Sequence, residues 1–98
     1  MEVAFDDKAL QRVYTDAHAT AGHGNAVDRR FRKVVEIIRA ATDERDFWAL
    51  RGLGFEKLKG SRSHQYSLRL NDQWRLILEI RGQVPFKTIG IIAVEDYH

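Results

Sequence analysis

The 98 residues are 44% hydrophobic and 31% charged, with a net charge of +2, which describes one small folded domain spanning 1–98 rather than a disordered chain. No stretch approaches the roughly 18 apolar residues of a membrane span, and the opening MEVAFDDK lacks the basic-then-apolar order of an export signal. The absence of cysteine excludes disulfides, thiolate chemistry and a zinc ribbon, and a cytoplasmic protein fits.

Charge is unevenly spread. Residues 51–98 hold eight basic and five acidic side chains, residues 1–50 eight and nine, and arginine outnumbers lysine by 11 to 5. The rigid guanidinium fork suits phosphate. A polyanion partner for the second half and a solvated mixed-charge surface are both compatible with this balance.

Glu2 to Phe5 predicts a short edge strand. Asp6-Asp7 caps a helix whose apolar stripe is Leu10, Val13, Tyr14 and Ala17. His18 to Asn25, with two glycines, predicts a loop, in which His18 and His23 take no assigned role. Asn25 then caps a second helix with the stripe Val27, Phe31, Val34, Val35 and Ile38, its other face carrying Arg29, Arg30, Arg32, Lys33 and Arg39. Thr42 or Asp43 caps a short helical piece through Trp48 and Leu50, which Gly52 and Gly54 end.

From Phe55 the period changes to two. Phe55 to Lys59 predicts a short strand with Leu58 toward the core and Lys57 and Lys59 on the opposite face. After the turn Gly60-Ser61-Arg62-Ser63, His64, Tyr66, Leu68 and Leu70 alternate with Gln65, Ser67 and Arg69; Trp74, Leu76, Leu78 and Ile80 alternate with Arg75, Ile77 and Glu79. Opposed residues of a hairpin share a face. A two-residue loop would mix faces, whereas the three-residue loop Asn71-Asp72-Gln73 opposes Leu70 to Trp74, Leu68 to Leu76 and Tyr66 to Leu78, with a bulge expected. It also sets Arg69 across from Arg75, a repulsive pair that an anion would relieve. Following the turn Arg81 to Pro85, Phe86 to Glu95 predicts a last strand, apolar on both faces through Ile89 to Val94 and so covered on both sides. The expected fold is α+β: two N-terminal helices packed on one face of a small, mainly antiparallel sheet, with the other face basic and concave.

The end of that strand is unusual. It delivers Asp96, Tyr97 and His98 at the rim of a sheet, and an imidazole beside a carboxylate can do acid–base chemistry near neutral pH. A polar tail leaving the core is the alternative.

Taken together, Leu58-Lys59-Gly60, Tyr66-Ser67-Leu68-Arg69, Asn71-Asp72-Gln73-Trp74-Arg75-Leu76 and the closing Asp96-Tyr97-His98 resemble the HigB-type branch of the RelE-like bacterial toxins, whose pattern runs "LKG…YSIRVNDQWRI…DYH". The element order matches over essentially the full length, which implies the RelE-like microbial RNase-type fold. The resemblance implies a ribosome-dependent, metal-independent endoribonuclease that cuts mRNA in the decoding site, needs no cofactor, and is neutralised by a helix-turn-helix, HigA-like antitoxin. Carried over by motif, its site comprises Lys59, Arg75, Asp96, Tyr97 and His98. One position departs from the pattern: Glu56 stands where members often have histidine three residues before the lysine, and is a possible catalytic base.

On this reading Arg75 and Lys59 hold the non-bridging phosphate oxygens, Lys57, Arg62 and Arg69 track the RNA backbone, Tyr97 stacks on a base, and Asp96 with His98 forms the acid–base pair. Two further readings stand beside it: a non-catalytic RNA- or ribosome-binding module, and a metal site built from His64, His98 and Asp96, although the strand pattern points His64 toward the apolar face.

Overall fold

The computed structural model describes residues 1–83 and 85–96. Strand β1 (Glu2–Phe5) leads into helix α1 (Lys8–Thr15), helix α2 (Asn25–Ala40) and the short helix α3 (Arg45–Ala49). The tight helical turn Arg51–Leu53 follows, then strand β2 (Glu56–Lys57), a second tight turn Gly60–Arg62, and strands β3 (Gln65–Arg69), β4 (Trp74–Arg81) and β5 (Thr88–Asp96). The five strands form one sheet in the order β1-β5-β4-β3-β2, in which only the β1–β5 pair is parallel. The α+β layering expected from the sequence is the observed one. Among the described residues no helix is long and apolar enough to cross a membrane.

The helix side of the sheet holds the core. Leu68, Leu76, Leu78, Ile89 and Ile91 pack with Phe31, Val34, Val35 and Ile38 of α2 and with Leu10 and Val13 of α1. Each such side chain, fully buried, contributes about 1.5–3 kcal/mol. Phe47, Leu53 and Phe55 extend the core under the β2 edge, where Phe55 stacks on Tyr66 at 5.0 Å between ring centroids.

Local chemistry sets the helix ends. Asp7 caps α1 by accepting from the Leu10 amide. Helix α1 stops at Thr15, two residues before the last position of its stripe, where Arg32 reaches from α2 to the carbonyls of Val13, Asp16 and Ala19. Arg32 is thus a structural clamp, not part of a solvated face. The expected cap of α2 is corrected by one position: Gly24 caps it with φ of 100°, a backbone region open to glycine, and Asn25 is its first helical residue.

The hairpin closes as the alternation requires. Tyr66 opposes Leu78, Leu68 opposes Leu76 and Arg69 opposes Arg75. Asn71 Oδ1 accepts from the amides of Gln73 and Trp74, and the Trp74 carbonyl accepts from both Leu70 and Asn71, which fixes a three-residue loop.

The outer face of the sheet is laced by ion pairs. Arg81 on β4 lies across Gly90 of β5 and bonds both Glu79 and, beyond it, Asp6 at the end of β1. A Cβ at position 90 would collide with that guanidinium. Hydrogen bonds from Arg81 hold the Asp6 carboxyl below its ordinary range; those from Arg45 do the same for Asp43, and those from Lys87 for Glu44. Acids with depressed folded pKa values contribute stability above their unfolded values of about 4, and lose it as pH falls through the lower folded values. The melting temperature is therefore expected to drop as pH is lowered from 5 to 3, and less so in Arg81→Met; circular-dichroism melts across that range check it.

Candidate nucleic-acid interface

Six residues of the outer face come from the pairing of β3 with β4. Gln65 opposes Glu79, Ser67 opposes Ile77 and Arg69 opposes Arg75, so these side chains project away from the helices. On the other side of β4, Arg75 opposes Glu95.

That last pairing depends on a bulge. Leu78 pairs with Ile91 but Ile77 pairs with Ala93, so Ile92 is an extra residue in β5. Because strand side chains alternate, one extra residue exchanges the faces of everything after it. Ile89 and Ile91 lie in the core, and after the bulge Val94 and Asp96 take that side, opposite Leu76 and Trp74. Glu95 therefore joins Arg75 on the outer face, and Asp96 does not. Asp96 instead accepts a hydrogen bond from the Gln73 side chain at 3.1 Å.

The expected cations are placed unequally. Arg75 is only 7% exposed; its Nη1 donates to the Gly54 carbonyl at 2.8 Å and its Nη2 meets Glu56 at 3.4 Å. Gly54 permits this approach, since a Cβ there would press on Arg69 and on the Arg75 guanidinium, and its φ of 54° is left-handed. Arg62 grips Glu95 with both terminal nitrogens, at 3.0 and 2.8 Å, and donates through Nε to Gln65. Arg69 pairs with the fully exposed Asp72 at 3.3 Å. The repulsion expected between Arg69 and Arg75 is thus offset by each having its own carboxylate.

Lys59 sits exposed at the start of the Gly60–Arg62 turn, its carbonyl accepting from the Arg62 amide. Lys57 needs a correction. The β2 strand is two residues long, not five, and pairs Glu56 with Ser67 and Lys57 with Tyr66. Glu56 consequently faces outward with Ser67 and Arg75, while Lys57 shares the Tyr66 side and is separated from Lys59 by the end of the strand. The cause is Phe55, which takes the core position assigned to Leu58 and shifts the alternation by one residue.

Tyr97 and His98 lie outside the described residues. His64, expected toward the apolar face, precedes β3 and approaches Glu79 of the outer face at 3.6 Å. His64 and Asp96 are not brought together for a metal, and no group of three metal-ligating side chains occurs among the described residues.

Some participants went unassigned in the sequence. Glu95 could have been found only by locating the bulge. Ser67 is 2% exposed on the outer face, and its hydroxyl has no hydrogen-bond partner among the described residues; its place opposite the arginine alternation was legible, its burial was not. His23 stacks edge-on against Trp74 at 4.5 Å and packs the loop onto the strand that carries Arg75. Chemically, the outer face offers arginines at the spacing of neighbouring strands, each held by a carboxylate that a phosphate can replace.

Comparison with known proteins identifies the family and the fold. A family model described as the RelE-like toxin of the type II toxin–antitoxin system HigB matches residues 3–88. Toxin HigB-1 of Vibrio cholerae serotype O1 is 32% identical over 88 residues, covering 90% of this chain and 93% of that protein. Two solved structures share the fold over the whole of this chain: a YoeB/ParE toxin from Agrobacterium tumefaciens (TM-score 0.62, 15% identity, all of that chain) and a YoeB–YefM complex from Staphylococcus aureus (TM-score 0.60, 21% identity, 97% of that chain).

The burial of Arg75 makes a stability prediction. Arg75→Ala removes a packed side chain and leaves the Gly54 carbonyl without its donor, and is expected to cost about 2–3 kcal/mol. Glu56→Ala removes a half-exposed partner and is expected to cost less than about 1 kcal/mol. Urea titrations of the two variants measure the difference.

Proposed function

Because this chain belongs to the RelE-like HigB toxins of type II toxin–antitoxin systems, we propose that it is a ribosome-dependent endoribonuclease that cuts mRNA without a metal ion and so stops translation. As a toxin of such a system it has an antitoxin partner; a helix-turn-helix, HigA-like protein is the form proposed here. The observation that carries the nuclease reading is the convergence of Arg62, Arg69 and Arg75 on one face of the sheet, beside Lys59 and at the end of the strand that leads into Tyr97 and His98.

Cleavage proceeds by attack of the ribose 2′-hydroxyl on the adjacent phosphorus. The P–O5′ bond breaks, leaving a 2′,3′-cyclic phosphate and a 5′-hydroxyl. Such a reaction needs a base for the 2′-proton, cations for the charge that gathers on the phosphorane, and an acid for the leaving 5′-oxygen. Lys59 and Arg75 supply the cations. His98 is assigned a proton transfer and Tyr97 a stacking surface for a base, whereas Asp96, which the bulge turns to the helix side, is not the partner assigned to them. Glu56 is engaged by Arg75, which argues against a role as the base.

One observation favours a second reading. Arg75 is nearly buried and Glu56 is committed to it, as in a non-catalytic RNA- or ribosome-binding module that keeps its cations for structure and docking. The two readings differ in products.

Primer extension on an mRNA in a purified translation system separates them. Cuts are expected only during translation, unchanged when the protein is pre-treated with EDTA that is removed before the Mg²⁺-requiring ribosomes are added. Lys59→Ala, at an exposed position with no ion pair among the described residues, is expected to reduce the cutting rate by about 100-fold while leaving stability unchanged. Uncut message with retained ribosome binding would establish the binding module instead.

A further inference from the structure

We infer that the carboxylates of Glu56, Asp72 and Glu95 form an internal gate that occupies the arginines of the outer face and restricts RNA binding to message presented at high local concentration. The inference rests on the reading of this face as the RNA-binding surface, and it adds the residues that set its selectivity.

The geometry is specific. Each of three arginines at this end of the face has an acid of its own: Arg62 with Glu95, Arg69 with Asp72, Arg75 with Glu56. Counting Lys59, four cations meet three anions among the described residues at this end of the face, so it is close to neutral there although the second half of the chain is basic. Single-stranded RNA gains affinity by releasing counterions, in proportion to the charges its phosphates neutralise. A face whose arginines are already neutralised releases few.

The Arg62–Glu95 pair is the principal element. Arg62 is anchored at Gln65 on β3, and Glu95 lies on β5. A bridge between those two strands on the outer face crosses β4 at Ile77, which pairs with Ser67 on one side and Ala93 on the other. Ile77 is 3% and Ser67 2% exposed, although neither belongs to the helix-side cluster. By register the strap therefore crosses the middle strand near the one buried side-chain hydroxyl without a partner among the described residues, that of Ser67.

The acids are also weak enough to be displaced. Both partners of Arg62–Glu95 are more than two-fifths exposed and Asp72 is fully exposed, and such pairs hold loosely against a competing anion. A phosphate delivered repeatedly by a bound message would take the arginines; one from dilute RNA would not. The bulge at Ile92 belongs to the same device, because without it Glu95 would face the helices.

Fluorescence anisotropy with a fluorescein-labelled 12-nucleotide single-stranded RNA tests the gate. Three proteins are compared: the parent, the triple variant Glu56→Gln/Asp72→Asn/Glu95→Gln, and a control with the same net charge, Glu2→Gln/Asp16→Asn/Asp46→Asn, altered outside this face. The triple variant is expected to bind at least about tenfold tighter than the parent, with a log–log salt slope steeper by about two, while the control gains less than about threefold. Equal gains in both variants would mean that total charge, not the gate, sets affinity. Weaker binding by the triple variant would mean that the acids position the arginines. Either result overturns the inference. Should the triple variant melt below the assay temperature, Glu95→Gln alone is read against Glu2→Gln under the same criteria. Ribosomal cleavage by the parent is scored separately, so a failed nuclease reading with a tenfold gain in RNA binding remains distinguishable from a failed gate.

Discussion

The pairing of β4 with β5, and the single extra residue within it, is the constraint on which the rest of this molecule depends. The two strands carry the middle of the core on one side, through Leu76, Leu78, Ile89 and Ile91. On the other side they carry Arg75, Arg81, Glu79 and Glu95. A regular ladder would have set Val94 opposite Arg75 and turned Asp96, rather than Glu95, to that outer face. The unpaired Ile92 exchanges the two acids, giving Glu95 to the arginines and leaving Asp96 to Gln73. One residue of irregularity thus decides which carboxylate meets which cation.

Around that ladder, the outer face is organised by compensation. It holds arginines at the spacing of adjacent strands, where like charges repel, and an acid offsets each of them. The triad of Asp6, Arg81 and Glu79 does the same at the other end of the strands, joining β1 to β4 over the space that Gly90 leaves. The two clusters differ in exposure and use. Arg81 serves to hold three strands together. Arg62 and Arg69 sit in exposed pairs with Glu95 and Asp72, open to a competing anion on the proposed function.

The helices contribute support more than chemistry. Arg32, Arg30 and Arg39, which look in sequence like a polar stripe open to any partner, are directed inward to neighbouring structure: Arg32 to the end of α1, Arg30 to the Gly52 carbonyl and Arg39 over the Tyr14 ring at 5.9 Å. Tyr14 donates to Glu36 across the two helices, which raises its phenol pKa above the ordinary value. Part of the basic character of α2 is therefore packing, through Arg30 and Arg32, while Arg29 and Lys33 stay exposed.

What the sequence by itself determined is what depends on local period and on matched motif. The stripes at three and four residues located the helices; the strict alternation of Tyr66 to Leu70 and Trp74 to Ile80 allowed only a three-residue loop, and with it the opposition of Arg69 and Arg75. The motifs from Lys59 to Arg75 identified the toxin family. Tertiary structure alone decided the rest. A bulge has no local signature when it falls inside Ile89-Gly90-Ile91-Ile92-Ala93-Val94, where either face is apolar, so the side taken by Glu95 could not be read from the strand. Phe55 and Leu58 are equally apolar, and only the space beneath Tyr66 chose Phe55 for the core and turned Lys57 away from Lys59. Glu56 and Glu95 became the partners of Arg75 and Arg62 because hydrogen bonding across strands depends on register, and register is a property of the folded sheet.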